Sequence, residues 1–234
     1  MSHRFIPPRM RRRDHRVILV QWSPPPHGWC KLNFDGSVYH DGSRRASIGG
    51  AIRDSTGRIV LSFAERTEHS TVGIVEARAM VRGLRLALGL HLQRLVVEGD
   101  DLVLVRLLRG EDTQTRIPLA LLEEIRGLLR CFRACDVRHI YREGNQVAHT
   151  LCRQAYHCPG VWVGTVPSFA VLDKAEEDRR GVLHERAMVR FDDRPACKVP
   201  DIVNGGGVLW RTENAGRKEW TSVHACDLMD QRQE

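Results

Sequence analysis

The sequence predicts an α/β fold: a mixed sheet of three antiparallel strands followed by two parallel ones, with helices on its faces. Three observations carry this expectation. Runs with period-two alternation come three in quick succession, and the last two are joined by the turn Asp54-Ser55-Thr56-Gly57. Everything after them alternates amphipathic helical spacing with short apolar runs. The links before the last two strands are long enough for right-handed parallel crossovers.

Taken in order, residues 1–20 carry six arginines (Arg4, Arg9, Arg11, Arg12, Arg13, Arg16) against one acid, Asp14, and read as a flexible basic arm. Trp22-Ser23-Pro24-Pro25-Pro26-His27-Gly28-Trp29 follows. Its prolines fix φ and remove backbone donors, so this stretch is an extended lead-in that marks the edge of the folded body. Strands are expected over 30–39, 46–53 and 58–65. A helix is expected over 72–90, with Val75, Ala79, Leu84, Leu86, Ala87 and Leu90 at apolar positions. A buried strand at 94–99, helices at 101–109 and 117–132 (Pro118 in the first turn of the second), a strand at 136–141 and a helix at 145–157 complete the pattern. The folded domain is thus placed at 21–160. Residues 161–180 keep Trp162, Val163, Phe169, Val171 and Leu172 and read as a capping segment. Residues 181–234 are polar apart from Gly205-Gly206-Gly207, and a disordered tail is the default expectation.

A chain of 234 residues with net charge +7 can hold one domain with a real core plus appendages. No apolar run approaches bilayer length and the start lacks signal-peptide organisation, so no membrane partner is expected and the protein reads as intracellular. Nucleus and cytoplasm both fit, and the Arg-rich start leaves an organellar address open. The seven cysteines are odd in number and irregular in spacing, which fits reduced thiols. Cys131-x3-Cys135-x3-His139 has some resemblance to a zinc site, but it runs from helix into strand and lacks a fourth ligand at finger-like spacing; buried thiols are the better reading.

Three acids stand out. Asp35 ends the alternating run Trp29-Cys30-Lys31-Leu32-Asn33-Phe34 and is followed by Gly36-Ser37. Glu76 lies inside the first helix among Val75, Ala77 and Ala79. Asp100 closes Leu95-Val96-Val97-Glu98-Gly99. Carboxylates at such positions, with no basic residue beside Asp35 or Asp100 in the sequence, suggest a site that needs a cation. Asp101, next to Asp100, suits the N-cap of the helix that follows.

The run Trp22-x-Pro-Pro-Pro-x-Gly28-Trp29-Cys-Lys31-Leu32-Asn33-Phe34-Asp35-Gly36-Ser37 resembles the opening of ribonuclease H-like domains found in plants, free-standing or in retroelement reverse transcriptases. Gly49-Gly50-Ala51-Ile52-Arg53-Asp54-x-x-Gly57, Glu76-Ala77, Val97-Glu98-Gly99-Asp100 and Arg142-Glu143-Gly144-Asn145-x-Val147-Ala148 match in the same order and spacing, covering about residues 21–157. The resemblance implies a five-stranded sheet and hydrolysis of the RNA strand of RNA–DNA hybrids with two Mg²⁺ ions held by Asp35, Glu76 and Asp100. It departs from the catalytic pattern at His149, which stands where an Asp usually supplies the fourth ligand. Neutral imidazole suits Mn²⁺ better than Mg²⁺, so His149 is either a fourth ligand for a softer ion or a side chain filling a helix face. Gly36, Ser37, Arg142 and Asn145 are candidate substrate contacts; Gly36 and Ser37 are placed to approach the RNA backbone and its 2′-OH. Two rival readings are a catalytically weak or inactive hybrid- or RNA-binding module derived from a retroelement, and a resolvase- or integrase-type reaction on the same fold.

Overall fold

The computed structural model describes residues 16–111, 113–188, 208–214 and 217–223. The main sheet is built on β2 (Cys30–Val38), β3 (Ala46–Arg53) and β4 (Ile59–Thr67), an antiparallel meander. Asp54 closes the β3–β4 turn by accepting from the backbone N–H groups of Thr56 and Arg58. After α1 (Val72–Gly89), β5 (Arg94–Gly99) enters parallel to β2; α2 (Leu102–Leu108) and α3 (Leu119–Arg130) then lead to β6 (Ala134–His139), parallel to β5. A 3₁₀ turn at Arg142–Gly144 opens α4 (Gln146–Gln154).

The sheet has six strands rather than five, in the order β6-β5-β2-β3-β4-β7. The extra strand, β7 (Gly160–Val163), pairs antiparallel with β4, and α5 (Phe169–Arg179) packs beside α4. The segment expected to be a simple cap therefore extends the sheet. β6 begins two residues earlier than expected because its register is set by β5: Arg94 pairs with Ala134 and Leu95 with Cys135.

Part of the stretch expected to be a flexible arm is also ordered. β1 (Arg16–Val20) pairs antiparallel with β8 (His184–Met188), and β9 (Val208–Asn214) with β10 (Arg217–Val223) completes a second sheet in the order β10-β9-β1-β8. So strands occur in the region read from sequence as a tail. The other arginines of the arm lie outside the described residues.

Alternation along β2 divides the core. Leu32 and Phe34 point to the face under α1, where they join Ile52, Phe63, Met80, Leu84 and Leu95. Each such fully buried side chain contributes about 1.5–3 kcal/mol. Lys31, Asn33 and Asp35 point to the opposite face, where Ala51 and Ala64 pack under Val147 and Leu151 of α4 and Val171 of α5. Here Lys31 Nζ meets Glu98 Oε1 at 2.6 Å, Arg53 Nη1 meets Asp178 Oδ2 at 2.6 Å, and Asn33 Oδ1 accepts from Trp22 Nε1 (2.9 Å) and Arg53 Nη2 (2.8 Å). The Arg53 guanidinium lies 3.6 Å from the centre of the Trp22 ring.

Removing one partner of a buried ion pair leaves an uncompensated charge, at about 3–5 kcal/mol. Asp178→Ala should therefore lose about that much in urea unfolding, and Arg53→Met combined with Asp178→Leu should recover most of it. A loss below ~1 kcal/mol for Asp178→Ala would show that α5 does not anchor the sheet.

Candidate metal centre

Asp35 reaches the site from β2, Glu76 from the second turn of α1, and Asp100 from the residue after β5. One carboxylate oxygen from each lies within 4.8 Å of the others. Close backbone approach makes this possible. A Cβ on Gly36 would meet the Glu76 backbone nitrogen at 2.5 Å, so only glycine lets α1 cross β2 there. On the other face, a Cβ on Gly49 would collide with the Cys152 backbone nitrogen, and that close approach seats α4 over Asp35.

Burial and mutual repulsion dominate the electrostatics. Burial first, then the charges of Asp35 and Asp100, push the Glu76 carboxyl well above its usual range. Burial and Asp35 raise Asp100 to about 6, against weaker pulls downward from Arg142 and Asn145. Glu76 Oε2 is buried without a hydrogen-bond partner among the described residues. A buried oxygen left unpaired beside two further carboxylates is poorly satisfied by protein alone and well satisfied by a hard divalent cation. The three acids fit such an ion.

His149 sits at the rim of this cluster. Its Nδ1 is 3.2 Å from Asp35 Oδ2, and Arg142 Nη2 lies 3.0 Å from Nε2 and 3.4 Å from Nδ1. An N–H group that close to both ring nitrogens lies over the ring rather than along one lone pair. The structure thus brings two basic side chains to acids that have none beside them in the sequence. A cleft of about 520 Å³ opens above, lined by the three acids, Gly36, Ser37, Arg142 and His149 among others.

Asn145, expected to face substrate, is buried. Its amide donates to the Phe34 carbonyl at 2.9 Å and lies 3.5 Å from Asp100 Oδ1, tying β2 to the start of α4. Asp101 accepts from the Val103 and Leu104 amides, so it caps α2 and leaves Asp100 for the cluster. Cys131, Cys135 and His139 do not come together as a ligand group among the described residues. Sequence reasoning missed the partners of Lys31 and Arg53. The signal was the period-two polar stripe Lys31-Asn33-Asp35 in an otherwise apolar strand.

The described residues contain no helix long and apolar enough to cross a membrane. Residues 33–155, more than half of the chain, match the reverse transcriptase-like family. The "Putative ribonuclease H protein" of Arabidopsis thaliana is 29% identical over 139 residues, covering 59% of this chain and 22% of the relative, so the chain spans about a fifth of that protein. Among solved structures, RNase H1 of Halobacterium salinarum shares the fold at TM-score 0.51 and 22% identity, over 55% of this chain and 98% of that one. The N-terminal RNase H domain of a Mycobacterium tuberculosis protein does so at TM-score 0.51 and 19% identity, over 55% and 94%.

Three acids confined without a cation destabilise the fold. Glu76→Gln should raise the melting temperature of the metal-free protein by about 2–4 °C, equivalent to ~1 kcal/mol in a chain this size, and should remove most of the stabilisation that added Mn²⁺ gives the unsubstituted protein. A drop in metal-free stability would show instead that Glu76 is held by a protein partner.

Proposed function

The chain belongs to the reverse transcriptase-like family and carries an RNase H-like domain, and from that premise we propose that it hydrolyses the RNA strand of RNA–DNA hybrids. The observation that carries the proposal is the convergence of Asp35, Glu76 and Asp100 in an open cleft, with one Glu76 oxygen unpaired among the described residues. In this reading those acids hold two divalent cations, which when bound supply an activated water and neutralise charge on the leaving oxygen. Asp35, Glu76 and Asp100 would hold the ions, and His149, whose Nδ1 lies 3.2 Å from Asp35 Oδ2, would take the fourth place.

The protein's own groups do the rest. Gly36, whose missing side chain makes room for α1, lines the cleft only through its backbone, and Ser37 adds a hydroxyl at the cleft wall where a 2′-OH could be read. Arg142 is exposed over His149 and is placed to meet a phosphate while holding the imidazole toward Asp35. Asn145 acts from behind, fixing the start of α4 against the Phe34 carbonyl.

A second reading, a module that binds hybrids without cutting them, is favoured by the same His149. In this structure the ring is already engaged by Asp35 and Arg142.

Two variants separate these readings. Asp35→Asn should slow cleavage of a labelled hybrid by at least about 10²-fold while binding stays within a few-fold; cleavage that survives would place the site elsewhere. With His149 as a ligand, activity should be higher in Mn²⁺ than in Mg²⁺. His149→Asp should then raise the Mg²⁺-supported rate and narrow the gap, and His149→Ala should lose the Mn²⁺-supported rate. A protein that binds hybrids tightly but cuts none in either ion, with His149→Asp equally inactive, is the binding module.

A further inference from the structure

The sheet face that carries Asp35 continues into a cluster that the carboxylate site does not use. Alternation along β2 puts Asp35, Ser37 and then Tyr39 on the face beneath α4, with Arg45 opposite Tyr39 in the hairpin. Tyr156, just beyond α4, meets Tyr39 edge-to-face with ring centres 5.5 Å apart. The Arg45 guanidinium lies 4.8 Å from the Tyr39 ring centre and 5.2 Å from that of Tyr156, and Arg66 of β4 lies 5.0 Å from the same Tyr156 ring. We propose that Tyr39, Arg45, Arg66 and Tyr156 form a clamp for backbone phosphates of a bound nucleic acid. The proposal rests on the hybrid-binding reading and adds where the strand runs.

Two features distinguish a ligand site from a hairpin anchor. Tyr156 is immobilised: its hydroxyl donates to the Ala46 carbonyl at 3.0 Å and accepts from the Ala46 amide at 3.1 Å. That ring then carries two guanidinium groups, whereas pinning a hairpin needs one. Bringing two like charges to one ring costs energy that an anion between them returns. Arg66 is exposed, donates once to the Tyr156 carbonyl at 3.2 Å, and has no acidic partner among the described residues. Arg45 is paired with Asp41 at 2.7 Å, but both side chains are more than 40% exposed, so a phosphate can exchange for the carboxylate at little cost. Tyr39 lies four residues from Asp35, roughly 13 Å along the strand. At ~3.4 Å of duplex axis per phosphate in each strand, that is about four nucleotides from the carboxylates.

The test measures equilibrium binding of a fluorescent RNA–DNA hybrid to the full chain carrying Asp35→Asn, across a salt series. Adding Arg45→Gln with Arg66→Gln should weaken binding about 10–50-fold near 0.1 M salt and lower the slope of log K against log salt by about 1.8, or 0.9 for each phosphate no longer neutralised. Asp41→Asn should tighten binding about 2–5-fold, because it frees Arg45. An unchanged salt slope in the double variant overturns the clamp, even if its melting temperature falls, and so does an Asp41→Asn protein that binds no tighter. If the unsubstituted chain binds hybrids but cuts none, only the catalytic reading fails. If it binds no hybrid at all, both fail.

Discussion

Lys31, Arg53, Glu98 and Asp178 are buried together on one face of the sheet, and the arrangement of the domain depends on keeping them paired. Burial lowers the pKa of Lys31 and Arg53 and raises that of Asp178, each against the pull of its partner. By that measure the network costs stability relative to an apolar core. Its pairings form only with three separate segments in place, and even then Arg53 Nε has no hydrogen-bond partner among the described residues. The lead-in supplies the Trp22 indole and the Ser23 carbonyl, the sheet supplies Lys31, Asn33, Arg53 and Glu98, and α5 supplies Asp178. Residues 160–180 therefore belong to the domain rather than hanging from it. Their apolar positions alone carry no sign that Asp178 would matter more than Phe169, which is largely exposed.

β2 also carries Asp35 of the carboxylate cluster, and a second constraint acts there. Gly36 and Gly49 occupy opposite faces of neighbouring strands, and each lets a helix backbone come closer than any Cβ allows. Gly36 admits α1 and with it Glu76; Gly49 admits α4 and with it His149. At Gly99 an added Cβ would collide with the Phe34 ring, so the chain passes directly over that ring before Asp100 turns into the cluster. Three carboxylates are thus forced together by backbone packing whose stabilisation comes from the apolar core. The core stabilises, and the repulsion within the site offsets part of that margin.

How much of this was legible follows from the range of each interaction. The meander, the helix at α1 and the β5 strand could be read because their period is local, and their bounds shift by no more than a few residues. Asp35, Glu76 and Asp100 were legible because each sits at a fixed place in such an element. The second sheet was not. Val17, Ile18 and Leu19 were hidden by the arginines before them, and the pairing of β1 with β8 spans more than 160 positions, which no window of local periodicity can register. The Tyr39–Tyr156 contact is invisible for the same reason. Arg142 and Asn145 were both marked in the sequence, yet only their surroundings separate an exposed guanidinium from a buried amide.

The second sheet also reaches the rim of the carboxylate cluster through the turn that opens α4. A Cβ on Gly144 would meet Ile140 at 2.9 Å and Val20 of β1 at 3.2 Å, so β1 packs tightly against that turn. From β8, Arg186 bridges Glu143 at 2.9 Å and stacks over Tyr141 at 4.6 Å. Glu143 lies between Arg142, which covers His149, and the buried Asn145, which holds the Phe34 carbonyl. A 3₁₀ turn of three residues has too few internal hydrogen bonds to hold two such side chains by itself. Packing from β1 and the ion pair from β8 provide the rigidity it lacks. Segments from before and after the family-matched region thereby fix the rim of a site whose acids all lie inside it.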